Sequence, residues 1–324
     1  MKHCTRSNYS LAVFAFLLLC FFSSSTQAIE AEKPWAVSFG AKRFSSSHTS
    51  SEFGNPFPPY QKPLSRLEYP MNNWWFGGEV RRSFNRFSLG AELYTNVQGD
   101  SSGRFKDSDW TGDSYPPNVK DVYSEASNRM RRSYMGKLDV DMKVSDLIGL
   151  SRRWDLRPVI GFRWQDLNFT VHDGVQSYPA AGGAIPPDPY QGNAIDFNQK
   201  YRQYFLGVKM AYDISSYVSI PQTSLVGQID WAYVEGKNAD HHLLRGDRWT
   251  YEDTNGNAWH GMVGLKFGLA KNVDAGITYE YLRIKTTGTH RWVDPAYDLD
   301  LTSSNGVKVW SKQTSLMMNI RCKF

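Results

Sequence analysis

The 324-residue chain carries 37 Lys+Arg against 32 Asp+Glu, a net charge of +5. That excess is too small and too mixed for a nucleic-acid footprint. Three cysteines exclude a disulfide-dense scaffold, and beyond residue 28 no apolar run approaches the roughly 20 residues of a membrane-spanning helix.

The N-terminus reads as a secretory signal. Lys2 and Arg6 precede an apolar run from Leu11 to Phe22 and the small polar SSSTQA, with cleavage expected after Ala28. Cys4 and Cys20 leave with it, so the mature chain 29–324 is expected to keep Cys322 alone and to form no internal disulfide.

The mature chain alternates with period two. Phe87, Leu89, Ala91 and Leu93 share one face; Leu138, Val140, Met142 and Val144 alternate with Lys137, Asp139, Asp141 and Lys143. Val273 to Tyr281 repeats the pattern, and the last strand ends on Phe324. Such strands suit a barrel whose apolar face meets lipid and whose polar face lines a wet lumen. Ten strands are predicted, at 35–44, 64–83, 86–98, 128–146, 154–173, 196–214, 222–236, 248–270, 273–287 and 306–324. Short turns alternate with mostly longer Gly-, Pro-, Asn-, Asp- and Ser-rich connections. The expected fold is all-β: one ten-stranded antiparallel transmembrane β-barrel of the bacterial outer membrane, with no helix. Strands of up to about 20 residues exceed the 9–11 needed to span, so the barrel should rise above the membrane.

Two acid-bearing stretches stand out. FKDSDW holds Asp107 and Asp109; NADHHLL holds Asp240 and His242. Both are expected in long loops on one rim, four strands apart, and alternation lets each pair point one way. An Asp beside a His fixes the tautomer and favours its protonated form. The His can then take a proton from water while two close carboxylates share one. The chemistry is hydrolysis by activated water. Isolated Asp-x-Asp and Asp-x-His pairs are also common as solvated loop residues.

Four stretches resemble the omptins, outer-membrane endoproteases with ten-stranded barrels. LSRLEYPMNNWW looks like that family's Ser-x-Leu-Asp-Trp strand, GRFKDSDW like its Asp-x-Asp-Trp loop, NADHH like its Asp-x-His segment, and RGDRWTY like the Arg-x-Thr-Tyr that follows. The resemblance implies an extracellular site with Asp240 and His242 as the water-activating pair and Asp107 and Asp109 opposite, acting on peptide or protein substrates outside the cell. It implies no metal and no cofactor, with lipopolysaccharide as a lipid requirement, and a monomer in outer-membrane lipid. The substrate acid two positions before the dyad Asp is replaced by Asn238; a second falls near His48 or Glu52. At the lipid clamp stand Trp164 and Asp166, and Lys200 alone stays basic. These departures point to a diverged member with its own peptide preference or lipid requirement. The alternative is a non-catalytic barrel, an adhesin or a degenerate relative.

Overall fold

The computed structural model describes residues 34–324 except 55–62, 113–114 and 117; the expected signal lies outside them. In chain order the strands are β1 (Trp35–Phe44), β2 (His48–Phe53), β3 (Ser65–Pro70), β4 (Trp74–Phe84), β5 (Phe87–Asn96), β6 (Gly99–Asp100), β7 (Phe105–Asp109), β8 (Val122–Met130) and β9 (Tyr134–Met142). There follow β10 (Trp154–Ser177), β11 (Asp188–Asp213), β12 (Ser224–His242), β13 (Arg248–Ala270), β14 (Val273–Asp294) and β15 (Leu299–Lys323).

The pairings close twice. At the end that holds Trp35 and Phe324, the terminal end, the ring runs β1, β4, β5, β9 and then β10 to β15, which returns to β1. At the other end β2, β3, β7 and β8 replace the first four and join β15 to β10. All neighbours are antiparallel, and each ring counts ten strands. Among the described residues neither ring has an open edge, and an open edge is what lipid would not tolerate. β1 and β13 match their predicted ranges. The other long strands run further towards the distal end, because pairing with a neighbour extends a strand past its hydrophobic pattern. Predicted strands 64–83 and 128–146 are each interrupted, at 71–73 and 131–133. Stretches expected as loops, 48–53 and 105–109, are strands. Two 3-10 turns, Pro179–Ala181 and Pro295–Tyr297, are the helical elements among the described residues. Cys4 and Cys20, on which the expectation of a bridge-free mature chain turns, lie outside the described residues.

The outer face carries an exposed apolar band. On β12 it reads Leu225, Ile229, Trp231 and Tyr233, then turns charged at Glu235 and Lys237. On β11 it ends at Tyr204, before Arg202 and Lys200. Trp35, Phe84, Phe87, Trp154 and Phe324 are exposed at the terminal end. Aromatic girdles of this kind mark the two membrane interfaces.

The lumen differs from the wet channel expected. Near the terminal end it holds a charged network, with Arg81 bonded to Asp139 and Asp141 at 2.7 Å each and Lys209 bonded to Asp139 at 2.6 Å. Further up it is apolar: Tyr69, Phe105, Phe169 and Phe197 pack ring against ring, and Tyr201, Val234, Ile284 and Val309 form a second cluster. Above the bilayer the outer face meets water, so the lumen is where apolar side chains can be buried.

Candidate active site

The β12–β13 hairpin sets His242 opposite Arg248, Asp240 opposite Thr250 and Asn238 opposite Glu252. Strand alternation places these residues on the inner face and His241 on the outer one. His241 stacks flat on Trp249, ring centroids 3.9 Å apart, and bonds Asp247. Asp240 lies seven residues beyond Tyr233, roughly 20 Å of strand, so the dyad stands clear of the apolar band.

Asp240 Oδ2 is 3.5 Å from His242 Nε2 and accepts a hydrogen bond from the Tyr69 hydroxyl at 3.2 Å. Tyr69 comes from β3 and is wholly buried, so it ties the dyad to the opposite wall. Burial, then Asp240 and Asp107, push its phenol well up, and it stays a donor. The other ring nitrogen, His242 Nδ1, faces Arg248 Nη2 at 3.3 Å.

Asp107 and Asp109 sit on β7, not in a loop. They line one cavity of about 730 Å³ together with His242, Arg245, Arg248 and His290. Asp107 is 6% exposed, and its Oδ1 has no hydrogen-bond partner among the described residues. Desolvation first, then Asp109 and Asp240, raise its carboxyl well above the usual range, against Arg245, whose Nη2 is 3.8 Å away. The neutral form is therefore favoured, as two close carboxylates require.

The remaining sequence candidates lie elsewhere. Asn238 is buried beneath the dyad, its Nδ2 unpaired among the described residues. Glu52 is held by Arg66 at 2.6 Å and lies 3.7 Å from Lys308, its cross-strand neighbours, while the next residue, Phe53, lines the cavity. Glu52 thus faces away from it. Lys200 is exposed on the outer wall, 3.9 Å from Asp166.

Sequence reading missed Tyr69, Arg245, Arg248, Glu252, His290 and Trp292. Arg248 and Glu252 alternate on one strand, but their facing follows from the five-residue 243–247 connection, which sets the register. Glu252 is buried, bonded to His290 Nδ1 at 2.9 Å, and raised by desolvation.

Residues 60–317 match the model of the Omptin family. The chain belongs to the Omptin family. Its fold is similar to that of the outer membrane protease OmpT from Escherichia coli, with a TM-score of 0.76 and 15% identity over 93% of this chain and 100% of that one. OprG from Pseudomonas aeruginosa aligns over 92% of this chain and 99% of its own at a TM-score of 0.38 and 11% identity. The translocator domain of autotransporter NalP from Neisseria meningitidis aligns over 98% and 95% at 0.36 and 7%. No curated protein matches. This omptin chain forms the ten-stranded outer-membrane barrel that its alternation and terminal aromatic suggested.

Proposed function

We propose that the protein is an outer-membrane endopeptidase whose site opens outside the cell and whose water is activated by Asp240 and His242 facing Asp107 and Asp109. The single observation that carries this reading is the shared cavity: Asp107 and Asp109 from one wall and His242 from the other line it together. Membership of the Omptin family supports it.

Water held between the walls gives a proton to His242 Nδ1, and its oxygen attacks the peptide carbonyl carbon. Asp240, against Nε2, orients the ring and stabilises the imidazolium. The proton kept by the Asp107–Asp109 pair is donated in a hydrogen bond to the carbonyl oxygen as charge grows there. His242 then passes its proton to the leaving amine. No covalent intermediate, metal or cofactor is needed. Arg248, now 3.3 Å from Nδ1, must give up that lone pair for the first step.

Substrates are peptides or exposed protein segments, and the working form is a lipid-embedded monomer. Lys200 meets lipid phosphate, and the lipopolysaccharide requirement is weak because Asp166 already neutralises part of its charge.

The test is cleavage of a mixed peptide library by refolded protein, followed by mass spectrometry. His242→Ala should lower the rate by about 10²–10⁴, whereas His241→Ala should be mild, since that ring stacks outside on Trp249. If both variants cut like the parent, Asp240 and His242 are not the water-activating pair; if the parent cuts nothing, the barrel is a binding protein without catalysis.

A further inference from the structure

The wall beside the dyad carries guanidinium groups and unused donors. Arg248 and Trp292, on neighbouring strands β13 and β14, line the cavity that holds His242. The Arg248 guanidinium lies 5.0 Å from the Trp292 ring centroid. Arg248 Nε and Trp292 Nε1 are both buried with no hydrogen-bond partner among the described residues. A buried unpaired donor costs free energy, and such groups call for an explanation. Here two lie on one cavity wall. Arg245 adds a second guanidinium, 3.8 Å from Asp107 and so beyond hydrogen-bond distance.

Most carboxylates nearby have a partner at one oxygen; Asp109 lines the cavity as well, and Asp107 Oδ1 and Asp240 Oδ1 have no hydrogen-bond partner among the described residues. Asp240 takes Tyr69 and His242. Glu252 bonds His290. Asp294 accepts from the Ala296 amide. Asp107 is held towards its neutral form. Asp240, Asp294 and Asp107 attract the Arg248 cation, yet burial and then Arg245 outweigh them and disfavour its charge. Position 238 puts an amide beside the dyad, its Nδ2 another buried donor with no partner among the described residues. An incoming carboxylate would satisfy the spare donors of Arg248 and Trp292; an incoming ammonium would leave them unpaired and face two guanidinium groups.

We propose that Arg248, Trp292 and Arg245 form a subsite for an acidic side chain, glutamate or aspartate, close to the scissile bond. This rests on the peptidase reading above. A carboxylate takes a guanidinium in two parallel hydrogen bonds. Engaging Arg248 in this way draws Nη2 off His242 Nδ1 and frees the lone pair that accepts the water proton. The acidic residue then raises kcat as well as lowering KM.

The experiment uses the full chain in detergent micelles with lipopolysaccharide, and peptides identical except for Glu, Gln or Lys at each of the two residues on either side of the cut. Glu should exceed Gln in kcat/KM at one position by about tenfold, or about 1.4 kcal/mol, with part of the gain in kcat, and Lys should be worst. The Glu:Gln ratio cancels any general loss of activity. Arg248→Gln should bring it near one, and Arg245→Glu should reduce it. A preference for Lys, or a ratio unchanged in both variants, overturns the subsite. If the parent cuts no peptide, the peptidase reading fails, and calorimetric titration of the same Glu and Gln peptides decides the subsite separately. Tenfold tighter binding of the Glu peptide upholds it; equal affinity removes it.

Discussion

Two side chains govern the electrostatics of the cleft. The Tyr69 hydroxyl is the one described donor from across the lumen on Asp240 Oδ2. Tyr69→Phe keeps the packing against Phe105, Phe169 and Phe197 and removes only that bond. A hydrogen bond to a charged group contributes about 1.5–3 kcal/mol, so the variant should fold, unfold at lower temperature, and lose kcat through a looser dyad. Unchanged kcat would show that Asp240 is positioned without Tyr69. Asp107 makes a second prediction. Its folded value is raised by burial and Asp109, whereas an unfolded aspartate titrates near 3.9. Between those two values the folded chain holds a proton that the unfolded chain has lost, so stability declines as pH rises through that window. Asp107→Asn removes this decline. Its unfolding temperature relative to the parent should climb as pH rises above about 3.9 and level off once Asp107 of the parent has ionised. Parallel curves for the two proteins would mean that Asp107 ionises normally.

At the scale of elements the two walls of the site differ. The dyad sits on β12, 19 residues long, between strands of 26 and 23 residues. The Asp pair sits on β7, five residues long, between β3 of six and β8 of nine. Short strands have fewer ladder bonds to break before they open, and opening is local. Amide hydrogen exchange in micelles should therefore label β7 well before 238–242 of β12. Earlier labelling of β12 would reverse the picture of a rigid dyad wall facing a softer carboxylate wall. Alternation makes register decisive too: a one-residue slip between β11 and β12 would turn His242 outwards and His241 in.

For the whole molecule, the apolar band is the dominant fact. Exposed Leu206, Ile229, Trp259, Val263 and Met318 have no protein layer over them, and exposed apolar surface on that scale needs lipid. The folded chain should require detergent and migrate faster on a gel unheated than boiled. A monomer stable in plain buffer would be incompatible with the band. The closed ring and the packed lumen make unfolding a concerted event, so the two gel bands should interconvert without intermediates.

The sequence alone determined the class, the strand number and the facing of most side chains, because period-two alternation is local and a lipid-facing barrel needs it on every strand. It also singled out Asp107, Asp109, Asp240 and His242, since paired spacing on one face is likewise local. Tertiary structure decided the rest. β2 and β7 look like loops along the chain, and they are strands because β15, β3 and β8 supply their hydrogen bonds. Glu52 was a plausible ligand by position and faces outward, because its register with Arg66 and Lys308 puts it on that side. Tyr69 of β3 and Arg248 of β13 meet the dyad, and Trp292 of β14 meets Arg248; a neighbour that arrives through barrel closure leaves no trace in the spacing of residues along the chain.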